Sequence, residues 1–139
     1  MDFKSWADLE KHLNKTISES LQIDVALESR QLMREHIQND VYEAYTPLDY
    51  ERTFETINSC VTNSIGNNTI ELKNTREGSN GEDIPQILEY GKGYTWGRNL
   101  DERIGPRPFF ANTYKDLAMG KAKIFMKYAL LKRGLKLEK

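Results

Sequence analysis

The 139-residue sequence contains a single cysteine, Cys60, and two histidines, His12 and His36. One thiol closes no internal disulfide and builds no cysteine-based zinc cluster, which excludes a stapled extracellular scaffold and a zinc finger. Neither histidine lies near Cys60 in sequence, so the thiol reads as a small, partly buried side chain rather than an activated nucleophile. Long apolar runs are also missing. Hydrophobic residues make up 38% and charged residues 29% of the chain, and no stretch approaches the roughly 18 apolar residues that span a bilayer. The N-terminus, MDFKSWADLEKHL, lacks a basic start followed by an apolar stretch, so it does not read as a secretory signal. These absences predict one soluble domain, residues 1–139, beginning its life in a cytoplasm with no membrane partner. A domain of this size buries about two thirds of the surface of its unfolded chain.

Glycine and proline are absent from the first 46 residues. In that stretch Trp6, Leu9, Leu13, Ile17, Leu21 and Val25 recur every three or four positions, leaving Lys11, Asn14, Lys15 and Glu19 toward water. Ser5 and Asp8 supply a capping box at its start. The stripe continues through Leu32, Ile37 and Val41, which predicts one long helix, or two with a bend near residues 20–24. Forty helical residues extend about 60 Å, more than a compact domain of this size covers alone, so part of the helix is expected to need a partner. It must end before Pro47. Tyr42, Tyr45 and Tyr50 cluster around that break and are expected to lock a loop onto the helix end, with Arg52 placed to stack or pair there.

Downstream, residues 59–77 read as a hairpin. Val61 and Ile65 lie four apart, Ile70 and Leu72 alternate with Glu71 and Lys73, and Gly66-Asn67-Asn68 provides the turn. Residues 77–83, EGSNGED, have nothing to bury and read as a mobile loop. A second amphipathic stripe, Phe110, Tyr114, Leu117, Ile124, Tyr128, Leu131 and Leu135, predicts a last helix that buries this face. Thr113 with Asp116, or Asn112, is the expected cap of its start, and Gly134 after Lys132 and Arg133 its terminator. Long helix, hairpin, short elements and long helix, in that order, predict an α+β fold: a long N-terminal and a C-terminal helix packed on a small antiparallel sheet.

Few residues suggest chemistry. Gly91 and Gly93 begin a dinucleotide-type glycine pattern, but Trp96 fills the third position and Gly97 comes one place late, with no apolar strand ahead. His36 and Asp40 lie one helical turn apart and can share a metal ligand role, with His12 joining from elsewhere; scattered histidines on long helices are more often ordinary surface or half-buried groups. Glu89 with Asp101 or Glu102 is a conceivable acid-base pair, but loop residues offer no rigid frame for one. Asn14 and Asn67 match a glycosylation triplet by chance in a chain with no signal peptide. The expectation is no enzyme, no cofactor and no metal. Charge is uneven: residues 111–139 hold eight Lys or Arg against two acidic residues, or +6, leaving −7 for residues 1–110 of a chain with net charge −1. Such polarity attracts phosphate or holds neighbouring subunits in register. A nucleic-acid-binding accessory role for the last helix, through Lys121, Lys123, Lys127, Lys132, Arg133, Lys136 and Lys139, is therefore the second reading.

The most distinctive segment runs ILEYGKGYTWGRNLDERIGPRPFF, from Ile87 to Phe110. Gly91 and Gly93 permit unusual backbone geometry, Pro106 and Pro108 hold the exit extended, and Phe109 with Phe110 anchors the last helix. Between these ends Tyr94, Trp96, Arg98 and Arg103 are the side chain types that dominate buried contacts between proteins, so they are the expected protein interface. Leu88, Glu89, Tyr90 and Gly91, a variable loop, then Arg107, Pro108, Phe109 and Phe110 opening a helix resembles the small tail-component, or head-to-tail joining, proteins of tailed bacteriophages and prophages. The corner of Tyr45, Pro47, Tyr50, Arg52 and Thr53 is similar to members from phages of Gram-positive hosts. The likeness spans roughly residues 30 to 120. It implies an α+β subunit without enzymatic activity, assembled in the bacterial cytoplasm and ending in the virion. There it would form a homo-oligomeric ring at the neck or upper tail, between connector or head-completion proteins and tail proteins.

Overall fold

The computed structural model describes residues 3–43, 54–66, 68–78, 81, 83–90 and 106–135. Ser5 starts the first helix as expected, its hydroxyl accepting from the Asp8 amide at 3.2 Å. The helix runs without a break from α1 (Trp6–Glu19) through a π-helical segment (Ser20–Val25) into α2 (Ala26–His36) and a second π-helical segment (Ile37–Tyr42). At 1.5 Å per residue this is about 55 Å of helix. The first π segment falls where a bend was expected: widening the turn re-phases the apolar stripe and leaves the helix unbroken.

Val25, Leu32, Ile37 and Val41 of the expected stripe are buried, whereas Trp6 is 85% exposed. The reason is length. Among the described residues the principal packing partner of α1 is the π segment that continues it, so its first turns extend past the elements that cover α2.

A 3₁₀ turn (Ile57–Ser59) leads into the hairpin of β1 (Cys60–Gly66) and β2 (Thr69–Asn74), paired antiparallel with Thr62 opposite Leu72 and an irregularity between Ser64 and Gly66. Two strands alone are marginal in water. This pair lies against α2 and the π segment before it, where the Arg30 guanidinium donates to the Thr62 hydroxyl and Gln22 Nε2 to the Gly66 carbonyl at 3.4 Å. Ile65 is exposed. Tyr42 performs the expected locking at the helix end: its hydroxyl accepts from the Ile57 amide at 3.1 Å and its ring meets Phe54 edge-on. Tyr45, Pro47, Tyr50, Arg52 and Thr53 lie outside the described residues.

The polar stretch after β2 closes through a bridge between Glu77 and Asp83. Asp83 then caps α3 (Ile84–Tyr90), its side chain accepting from the Gln86 amide at 3.2 Å. The last helix comprises α4 (Phe109–Asp116), a π-helical segment (Leu117–Lys121) and α5 (Ala122–Lys132). It is kinked at Gly120, whose φ of 139° is one that residues with a Cβ rarely adopt. Its end follows the expected glycine rule: Gly134 adopts φ 91°, its amide donates to the Leu131 carbonyl and the Leu135 amide to Leu130. α4 packs on α2, α5 on the Ser20–Val25 segment, and α3 on α4.

Met33, Ile37, Val41, Tyr42, Ile84, Leu88 and Phe109 form the core, with Ile57, Cys60, Leu72 and Ile87 around it. The fold is thus α+β, with two long helices and a two-stranded antiparallel sheet. The last helix differs from expectation in its buried face. Phe109, Thr113, Ala129 and Leu130 point inward, while Phe110, Tyr114, Ile124, Tyr128 and Leu131 are exposed. On the first helix the small residues Thr16, Ser20, Ala26 and Ser29 are buried alongside Val25, Leu32, Met33 and Ile37. Leu117 and Leu135 of the expected stripe are half-buried, so periodicity weighted toward large apolar residues misplaced most, not all, of the buried face.

Candidate interaction surface

The ILEY and RPFF halves of the distinctive segment come together around Glu89. Pro108 stands at the N-cap of α4 and offers no side chain acceptor, so the first turn of that helix needs an acceptor from elsewhere. Glu89, the next-to-last residue of α3, supplies it: Oε2 accepts from the Phe110 amide and Oε1 from the Ala111 amide, each at 3.0 Å. A carboxylate at a helix N-terminus also meets the positive end of the helix dipole. Beside it the Arg107 amide donates to the Leu88 carbonyl at 2.6 Å, and Phe109 is fully buried in the core. Arg107 and Pro108 are half-buried, and Tyr90 is exposed. Residues 90 and 106 are thereby held at a closed base. Gly91, Tyr94, Trp96, Arg98 and Arg103, in the intervening segment, lie outside the described residues, as do Asp101 and Glu102. Glu89 uses both oxygens in this cap.

His36 makes a second junction between the helices. Its Nδ1 lies 2.8 Å from Asp40 Oδ2 and its Nε2 2.7 Å from Asp116 Oδ2, while Asn112 Nδ2 donates to Asp40 Oδ2 at 2.9 Å. Burial disfavours the charged ring, but hydrogen bonds to Asp116 and Asp40 and their negative charges outweigh it, so the His36 pKa is raised. The two ring nitrogens face different carboxylates, so these groups form a chain of hydrogen bonds rather than converging on one point. His12 instead meets Phe3, with ring centroids 5.1 Å apart and the planes tilted by 43°. Asn112 and Asp116, expected to cap the last helix, serve this junction, because the helix begins earlier, at Phe109. The Thr113 hydroxyl bonds back to the Phe109 carbonyl at 2.7 Å.

Arg133 makes the third junction, its Nε donating to Asp24 Oδ2 and its NH1 to Glu19 Oε2, both at 3.0 Å. Burial pushes the Cys60 thiol up in pKa, which makes it a poor nucleophile. Sequence reasoning missed the α3 cap, although Asp83 followed by Gln86 is a recognisable box. It also missed Arg133 as an interhelix tie, for which no local pattern exists.

These features hold the two ends of residues 91–105 together and tie the last helix to the first. No helix among the described residues is long and apolar enough to cross a membrane. No solved structure matches the chain. It is 39% identical over 104 residues, covering 74% of this chain and 73% of the relative, to the SPbeta prophage-derived uncharacterized protein YomN of Bacillus subtilis (strain 168). That similarity ties the chain to a phage-related origin. The family model of YomN matches residues 5–133, and the chain therefore belongs to the YomN family.

Proposed function

We propose that this protein is a structural subunit of phage particle assembly, a head-to-tail joining or tail-completion component. In this reading copies form a ring at the neck or upper tail between connector or head-completion proteins and tail proteins, and perform no catalysis. It is made in the bacterial cytoplasm and ends in the virion. The observation that carries this reading is the Glu89 clamp, which holds the two ends of residues 91–105 at one point on the core. Tyr94, Trp96, Arg98 and Arg103 belong to the segment between these anchored ends and are side chain types that dominate protein contacts, and holding the ends together lowers the cost of binding a neighbour. The prophage origin of its relative supports a particle component over a host enzyme. Particle formation in cells carrying Trp96→Ala with Arg98→Ala, scored by electron microscopy, tests it. Unjoined heads and tails are expected; intact, infectious particles overturn the reading.

The second reading, a nucleic-acid-binding accessory protein, draws on one observation: Lys121, Lys123, Lys127 and Lys132 are all exposed on the last helix. Phosphate contacts would make affinity for duplex DNA fall steeply with salt. A salt-independent or absent gel shift removes it.

A further inference from the structure

The outward face of α5 carries large apolar side chains where folding alone favours polar ones. Ile124, Tyr128 and Leu131 follow one another at helical spacing and are 50%, 67% and 41% exposed. They lie opposite the packed face, where Ala129 and Leu130 are buried and Arg133 reaches Asp24. With each residue advancing about 100° around the helix, Lys121 and Lys132 fall along one border of this stripe and Lys123 and Lys127 along the other. Large apolar side chains are thus left exposed along one side of α5, the pattern of a surface awaiting a partner.

We propose that this stripe docks onto the acidic body of a second copy of the chain, in a heterologous contact. The proposal rests on the assembly reading above and adds a second surface to it. Charge selects the occupant. Residues 111–139 carry +6 and residues 1–110 carry −7. Two stripes facing one another across a two-fold axis set one lysine border against the other, and like charges so placed are costly. The stripe therefore requires a surface of opposite sign, and the neighbour's own first 110 residues supply one. A contact between different faces of identical subunits propagates, closing into a ring when the rotation allows, whereas a self-complementary contact stops at a dimer. Nucleic acid is the poorer occupant: phosphates would satisfy the lysines but leave Ile124 and Leu131 unburied, and the acidic remainder of the chain repels them.

Sedimentation equilibrium of the full chain tests the contact. The wild-type protein is expected to self-associate, less so at high salt. Ile124→Ser with Tyr128→Ser, and separately Lys121→Glu with Lys127→Glu, are expected to weaken association by about tenfold or more. All four positions are exposed, so circular dichroism and thermal midpoint should stay at wild-type values, separating lost docking from lost folding. Trp96→Ala with Arg98→Ala is run alongside. Stripe variants that associate like wild type overturn the proposal, and if the loop variant alone is then impaired the assembly reading stands without it. A monomeric wild-type chain also overturns the stripe contact, while particle formation judges the assembly reading independently. A DNA gel shift abolished by the Lys→Glu pair, with no self-association, replaces it with the nucleic-acid reading.

Discussion

His36 shows how one side chain joins two distant parts of the chain and makes that joint depend on pH. A neutral imidazole donates from one nitrogen only, so contacts with both Asp40 and Asp116 are hydrogen bonds only when the ring is an imidazolium. Its pKa is raised above the ordinary 6.5 because the two carboxylates outweigh burial. A raised folded-state value contributes stability that is fully present below 6.5 and is lost as pH climbs through the raised value. The thermal midpoint should accordingly fall more between pH of about 6 and about 9 in the wild type than in His36→Gln. An imidazole titration followed by NMR checks the cause: His36 should titrate above 6.5, and Asp116→Asn should lower its midpoint. A ring that titrates at or below the ordinary value refutes the joint.

At the scale of elements, two termini of the last helix are held by residues far away in sequence. Removing the Glu89 carboxylate leaves the first-turn amides of α4 without their acceptor, and Glu89→Ala is expected to cost about 1 kcal/mol in urea unfolding. Glu89→Gln, which keeps one carbonyl oxygen, should cost less. At the other end Arg133 ties α5 to Asp24 and Glu19, whose side chains are partly solvated, so Arg133→Ala should cost about 1–2 kcal/mol. Arg133→Lys should recover only part of that, because an ammonium lacks the fork that reaches both acids. These ties also explain what was legible in the sequence. Caps made within four residues, at Ser5 and Gly134, were readable, as was the hairpin from its alternation and turn residues. The α4 cap was not, since Glu89 and Phe110 are joined only by the folded chain. The buried face of the last helix was misread for a different reason: Phe109, Thr113, Ala129 and Leu130 are buried while Ile124, Tyr128 and Leu131 are exposed, and small Thr113 and Ala129 leave no mark in a stripe drawn through large apolar residues. The candidate interface residues were named from side chain type alone, and the structure contributes the frame that holds the ends of their segment.

Across the whole molecule, stability is distributed along the first helix as a gradient. Met33, Ile37, Val41 and Tyr42, near its C-terminal end, sit in the core with Phe109, Ile84 and Leu88. Its middle is tied by Arg133 and packs against α5. Trp6 and the turns beside it have no comparable cover among the described residues. An isolated helix of this length gains most of its stability from packing, so uncovered turns open locally at far lower cost than covered ones. Amide hydrogen exchange of the dissociated chain should therefore show protection rising along the helix, with residues 6–15 exchanging by local fraying and α2 only on global unfolding. If part of this helix is completed by a neighbour, protection of residues 6–15 should rise on assembly while that of α2 stays constant. Uniform protection from Trp6 to Tyr42 in the dissociated chain would mean that the projecting turns are already covered, and the expectation that the long helix needs a partner would fail.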